Sequence, residues 1–414
     1  MKILWISHLI PFPPKGGVLQ RSYNLIKELS KYNEVHVVAF NQRSLLPNDE
    51  DINYALSEMQ NICASIKSLP IECEKVSLSG KYRVAAKSFF TDLPYTINWL
   101  QSSKMANIID NEINDNTYDV VHYDTISLAP FCDFNKNVKN VLNHHNIESN
   151  MLFRRAENER NIPKKIYFYQ EAEKLEKYEQ KICKNFDLNI TCSHVDSVRL
   201  HKIIGSNNKI TDIPNGVDVN YFYPQNSIKI SNSLCFCGGM SWYPNRAAMV
   251  FFANKVWPIL TQQIPGITMR VIGKSPPVEL LDLAKKDSNF IVTGFLDDMR
   301  PIVDQSMLYV CPISDGGGTK IKILDALAMG KAIIANPISC EGIDVVNGEN
   351  IIFAEKPEDY VEKIKTLLNK TIEVERIGAN GRELVERKYS YIEIGKKINK
   401  TYIDILKKDG SNLC

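Results

Sequence analysis

Residues 312–330 read PISDGGGTKIKILDALAMG. Gly316, Gly317 and Gly318 are followed at once by Thr319, Lys320 and Lys322, with Asp325 two helical turns beyond the glycines. Glycines let a backbone approach a ligand closely. Amide N–H groups at the start of a helix attract anions, and the two lysines add positive charge. Asp325 suits a ribose diol, whose hydroxyls a carboxylate can accept. A phosphate site and a purely structural turn both remain open on these residues alone. The segment is neither a Walker A sequence nor GxGxxG, and no GxGxxG follows the first strand either, which disfavours a hydride-transferring dinucleotide enzyme. Other candidates stand at strand ends. His144 and His145 close KNVLNHH, and His122 lies in YDVVHYD. Each reads equally as a structural histidine, and the histidine pair is a poor metal site.

Such residues need elements to hold them. The apolar run KILWIS predicts a buried parallel strand, followed by the Pro- and Gly-rich loop HLIPFPPKGG, a helix over VLQRSYNLIKELSKY and the strand EVHVVAF. Further strands are read in YDVVHYD, KNVLNHH, FDLNITCS and KITDIPNG. The charged stretch from Ser149 to Lys184 reads as helical, broken or kinked at Pro163. Its charged residues read first as a solvated helix face, with contact between a basic face and a membrane surface as the alternative. The second half repeats the alternation: strands in SLCFCGG, ITMRVIG, FIVTGFL, MLYVCPI, KAIIANP and NIIFAE, helices between them and a helical tail. This pattern predicts an α/β chain of two Rossmann-like, doubly wound domains facing across a cleft. The expected boundaries are 1–205, 206–390 and a C-terminal helix, 391–414, packing back towards the N-terminal domain.

The bulk numbers agree with that organisation. The chain has 414 residues, 44% hydrophobic and 24% charged, with a net charge of +2 that gives no reason to expect a nucleic-acid partner. The ten cysteines include no CxxC pair, and Cys235 and Cys237 fall on one face of a strand, so reduced core thiols are expected. MKILWISHLI is too short and too soon interrupted for a signal peptide, and no stretch reaches membrane-span length. The expected location is cytoplasmic, with peripheral contact at the inner face of the membrane.

Several motifs together resemble the GT-B glycosyltransferases of group 1, or family 4. PPKGG resembles the N-terminal glycine loop, NHHNIES the segment with an active-site histidine, IPNGVDVNYF the interdomain sequence, FCGGMSWYPN the opening of the donor domain and VTGFLDD the loop near the base. The resemblance implies transfer from a nucleotide-diphosphate sugar, with UDP and GDP both open, to a glycan or lipid-linked acceptor. It implies retention of configuration by front-face attack, no cofactor and no metal, in surface polysaccharide or glycoconjugate synthesis. Carried onto this chain, it places Gly316 to Thr319 with Lys320 and Lys322 at the diphosphate, Asp325 at the ribose, and Gly294 and Phe295 near the base. Gly16 and Gly17 approach the donor phosphates, and His145, rather than His144, sits by the reacting sugar. Two departures stand out. The family's first glutamate is replaced by Gly317, with Asp315 two residues earlier as candidate substitute at the donor-sugar hydroxyls. The Arg and Lys that commonly follow the donor domain's first strand are missing, leaving Arg246 alone, unless the lysines after the glycine turn carry that charge. A nucleotide-sugar epimerase and an inactive nucleotide-sugar-binding relative are the competing readings.

Overall fold

The computed structural model describes residues 1–414 except 75–77, 206–208, 317 and 411–414, and except the side chains of 78, 79, 81, 82 and 408–410. The chain forms two compact units: Met1–Pro214 with Ile394–Cys414, and Asn215–Glu393.

The first unit is built on seven parallel strands: β1 (Lys2–Ser7), β2 (Glu34–Asn41), β3 (Ser65–Pro70), β4 (Val120–Tyr123), β5 (Lys139–His144), β6 (Leu188–Thr191) and β7 (Ile210–Asp212). Their order is β3-β2-β1-β4-β5-β6-β7, reversing direction at β1/β4. Parallel neighbours require crossovers, supplied by α1 (Gly17–Leu29), α2 (Asp49–Gln60), α3 (Leu78–Phe89), α4 (Tyr95–Asn98), α5 (Ser103–Asp115), α6 (Glu148–Asn158), α7 (Ile162–Ile182) and α8 (His194–Ile204). Alternation along the strands divides the core between the two faces of the sheet. Ile3, Trp5, Val35 and Val37 join one cluster with Leu25, Leu29 and the C-terminal residues Ile398 and Tyr402. Leu4, Ile6, Val38 and Val121 join the other with Met105, Leu175 and Leu200. Both faces being covered explains why these strands read as continuous apolar runs. Pro163 separates two helices, as the sequence suggests. α6 ends at Asn158 and α7 restarts under the side-chain cap of Asn161 on the Lys164 amide, with the proline in its first turn.

The second unit carries six parallel strands: β8 (Ile230–Cys237), β9 (Thr268–Ile272), β10 (Phe290–Gly294), β11 (Ser306–Cys311), β12 (Ala332–Ala335) and β13 (Ile352–Phe353). Their order is β10-β9-β8-β11-β12-β13, so β8 and β11 adjoin at the reversal. The helices are α9 (Tyr243–Phe251), α10 (Trp257–Gln263), α11 (Val278–Lys286), α12 (Arg300–Gln305), α13 (Ile321–Ala328), α14 (Pro357–Leu368), α15 (Thr371–Lys388) and α16 (Tyr391–Gly410), the last of which continues into the first unit. Cys235, Cys237, Cys311 and Cys340 are buried free thiols in this unit. The alternating pattern therefore produces two Rossmann-like sheets, as expected from the sequence.

Candidate functional site

In an open parallel sheet, ligands bind beyond the carboxyl ends of the strands where the order reverses. In the second unit those ends belong to β8 and β11. After β8 the chain turns through Gly238 and Gly239, and this turn is tied to the loop after β9: Gly238 N–H donates to Ile272 O at 2.8 Å and Met240 N–H to Lys274 O at 2.8 Å. The backbones approach so closely that a Cβ on Gly273 would stand 2.0 Å from the Gly238 carbonyl oxygen. Asn245, in the first turn of α9, donates from Nδ2 to Gly239 O at 2.7 Å.

α13 delivers the half-buried Lys322 to this turn. Its ammonium donates to Asn245 Oδ1, and a Cβ on Gly238 would lie 2.8 Å from its Nζ. Nζ also stands 5.3 Å from the ring centroids of Phe236 and Trp242. Burial holds this ammonium below the usual lysine range, against the opposing pull of Cys311, Cys237 and Asp325. Among the described residues its hydrogen-bond partner is a neutral amide. The cation absent from the sequence after β8 is thus present in space, supplied from the far side of β11.

Lys320 differs from Lys322, although the sequence suggests one role for both. It is 4% exposed, and its Nζ folds back onto Gly316 O at 2.7 Å and Gly318 O at 2.9 Å, stapling the glycine turn. Gly316 and Gly318 adopt φ of 93° and 70°, a region glycine enters without strain. Asp315 Oδ1 accepts from the Gly316 amide at 2.6 Å. Gly317 lies outside the described residues. Thr319 Oγ1 is buried and makes no hydrogen bond among the described residues. Asp325 is buried one turn along α13 from Lys322. Gly294 closes β10 with φ 72° and accepts the Gly273 amide at 2.9 Å, whereas Phe295 beyond it is exposed. Arg246 is exposed in the first turn of α9.

The first unit gathers a second polar cluster at the ends of β1, β4 and β5. Asp124 is fully buried. Its Oδ2 accepts from Ser22 Oγ at 2.6 Å and Ser7 Oγ at 3.4 Å, and its Oδ1 from Asn143 Nδ2 at 3.2 Å. His145 Nε2 stands 3.3 Å from the same Oδ1. Burial pushes the Asp124 carboxyl up, but His145 and His122 overrule it and hold it far below the usual carboxylate range. The neighbouring histidines have protein partners of their own. His144 is buried against Asn189 Oδ1 at 3.1 Å, and burial pulls it down to about 4. His122 stacks on Trp5 at 3.6 Å, and its Nδ1 faces Tyr402 Oη at 2.6 Å. His8 sits 6.0 Å from His145, ring to ring. Gly16, with φ 101°, caps α1, and Gly17 begins it. Sequence reading missed Asp124 and His8. The available signal was position: each directly follows a parallel strand.

Comparison with known proteins agrees with the two-sheet fold. Residues 15–221 match the family model of Glycosyltransferase Family 4, and residues 231–370 that of Glycosyl transferases group 1. An uncharacterized 44.6 kDa protein in the cps region of Klebsiella pneumoniae is 22% identical over 259 residues, 61% of this chain and 63% of that protein's length. HepE of Anabaena, solved with UDP, is 14% identical, covers 98% of this chain and 100% of its own, and superposes with a TM-score of 0.68. Sucrose-phosphate synthase from Thermosynechococcus elongatus is 14% identical at a TM-score of 0.70, covering 99% of this chain and 100% of its own. A mutant of S. aureus TarM, solved with Fondaparinux, alpha-GlcNAc-glycerol and UDP, is 13% identical at 0.66, covering 98% of this chain and 99% of its own.

Proposed function

Because the chain belongs to the group 1, family 4 glycosyltransferases, we propose that it moves a sugar from a nucleotide diphosphate to a glycan or lipid-linked acceptor with retention of configuration. The reaction serves the synthesis of a surface polysaccharide or glycoconjugate, a role supported by the relative from a cps region. UDP is the favoured nucleotide, since HepE and TarM of the same fold were solved with it. One observation carries the reading. Lys322 holds an ammonium against the Gly238–Gly239 turn with a neutral amide as its hydrogen-bond partner among the described residues. An ammonium so placed favours a diphosphate, which adds the anionic oxygens that Asn245 lacks.

In this reading Lys322, Thr319 and the glycine amides hold the diphosphate, while Lys320 keeps the turn in shape. Asp325 binds the ribose, Gly294 and Phe295 lie by the base, and Asp315 serves the donor sugar. Arg246 is placed to meet phosphate charge from the rim. As the glycosidic bond breaks, negative charge grows on the leaving phosphate, and fixed donors stabilise it without reorganising. That phosphate takes the proton of the incoming hydroxyl on the same face, and no metal is required. On the first unit, His145, held by Asp124, serves the reacting sugar, and Gly16 and Gly17 offer backbone to phosphate.

A thermal-shift screen against UDP, GDP and ADP without added metal tests the proposal. Ligand that binds the folded state raises its melting temperature. A rise with UDP is expected. No rise with any of the three, in folded protein, would overturn the nucleotide site.

A further inference from the structure

We propose that a pocket between α3, α4, α6 and α7 of the first unit binds an uncharged sugar ring of the acceptor glycan, away from the point of transfer; that the ring belongs to an acceptor rests on the function proposed above. The cavity measures about 300 Å³ and is walled by Tyr95, Leu152, Tyr167 and Phe168, with Arg155 and Glu171 as its charged groups. Mostly apolar and aromatic walls with a few polar groups are the form of a small-ligand site. Three of those polar groups are uncommitted. Glu171 is 3% exposed; its Oε2 accepts the Tyr95 amide at 2.6 Å, whereas its Oε1 is buried without a hydrogen bond among the described residues. Lys174 Nζ stands 4.0 Å from that oxygen and donates instead to Ser88 O at 2.6 Å and Phe89 O at 3.1 Å. Burial pushes the Glu171 carboxyl above the usual range, against the pull of the Tyr95 amide and Lys174. Neither Tyr167 Oη nor the Arg155 guanidinium makes a hydrogen bond among the described residues, and the guanidinium lies 4.2 Å over the Phe168 ring. Burial, and after it the charge of Glu171, pushes the Tyr167 phenol up to about 12, which keeps it a donor at neutral pH.

The mixture of groups selects the ligand. An alkyl chain would leave the Glu171 oxygen without a partner, which a buried carboxylate tolerates poorly. A cation would meet Arg155, and an anion would meet Glu171. The ligand that satisfies all three groups is uncharged, donates to a carboxylate, accepts from a phenol and a guanidinium, and lays an apolar face on aromatic rings. A pyranose does each of these: its hydroxyls both donate and accept, and its C–H faces stack on Tyr and Phe. Position assigns the ring to the acceptor. α6 starts at Glu148, three residues after His145, and Leu152 and Arg155 follow four and seven residues further on. They stand roughly 6 and 10 Å along the helix axis from its start. A glycan whose reacting end lies by His145 reaches this pocket with its next sugars by following α6.

The test is saturation-transfer NMR on the full chain with the methyl glycosides of glucose, galactose and rhamnose, and with glucuronate as a charged comparator. Transfer to at least one of the three neutral sugars is expected, with weaker transfer to glucuronate. Tyr167→Phe removes a single hydroxyl and should lower the affinity about 3- to 10-fold. Glu171→Gln keeps an acceptor for the Tyr95 amide but turns the other oxygen into a donor, and should lower it at least about tenfold. An unchanged melting temperature verifies that each variant is folded, and an unchanged Kd for UDP that the donor site is intact. No transfer to any of the neutral sugars, or tighter binding of glucuronate, would overturn the proposal. So would sugar binding that both variants retain, because the sugar then sits elsewhere. The sugar titration contains no nucleotide, so its failure leaves the nucleotide site standing, and a failure of UDP to bind leaves the pocket standing.

Discussion

Replacing Lys322 by methionine separates a ligand-binding cation from a structural one. In the ligand-free protein this ammonium has an uneasy place. Burial lowers its pKa from the ordinary 10.5, and its hydrogen bond runs to the neutral Oδ1 of Asn245. Methionine keeps the stem, removes the desolvation cost and leaves Asn245 Oδ1 unpaired, which costs about 1–3 kcal/mol. These effects oppose each other, so ligand-free stability should change by no more than about 1 kcal/mol. Binding should change far more. A charge-assisted hydrogen bond is worth about 1.5–3 kcal/mol, so Kd for UDP should rise about 10- to 150-fold by titration calorimetry. The pH dependence supplies a second sign. The unfolded chain holds this proton more tightly than the folded one. Stability from this group therefore rises as pH climbs from its lowered folded value towards 10.5, and the methionine variant lacks that rise. UDP affinity should fall as pH passes the folded value, because the ammonium that attracts the diphosphate is lost. A variant that binds UDP like wild type while losing about 3 kcal/mol of stability would refute the reasoning and make Lys322 a packing residue.

Two further substitutions probe the first unit. Glu179, fully buried with both oxygens on Ser149, is pushed by burial up to about 8. The folded protein thus holds a proton that the unfolded chain releases near 4.5, and stability from this group falls as pH rises between those values. Glu179→Gln should therefore be the more stable protein at pH 8, by on the order of 2–4 kcal/mol, and equal to wild type near pH 4; identical urea midpoints at pH 8 would contradict this. Asp124→Asn should lower kcat by about a hundredfold while leaving Kd for UDP unchanged, because it unsettles His145 and not the nucleotide turn. Equal losses in both quantities would speak for a general disturbance of the unit.

Both sheets were legible because covering each strand on two faces writes an unbroken apolar run, as in Ile3–Ile6 of β1. The segment 42–117 was silent for the opposite reason. β3, SIKSLP, is an edge strand with no fully buried residue, so it carries neither an apolar run nor alternation. Between α9 and α10 the helical path contains a wider turn at Phe252–Val256, where Trp257 N–H reaches Phe252 O. Pro258, lacking an N–H and crowding the carbonyl four residues back, accounts for that local widening.

The site was legible where one turn contains it and hidden where the sheet assembles it. Positive φ at Gly316 and Gly318 follows from a GGG run between strand and helix. Nothing in the spacing of Gly238 and Lys322, 84 positions apart, announces that they meet; the pairing of β8 with β11 brings them together. The register sets Leu308 beside Leu234 and Tyr309 beside Cys235, so the turn after β8 and the helix after β11 leave the sheet side by side. A cation missing from one can then be restored from the other. Asp124 and His145 meet by the same rule, through the adjacency of β4 and β5. In such folds a motif departure read along the chain is therefore not a lost function until the neighbouring strand ends have been inspected.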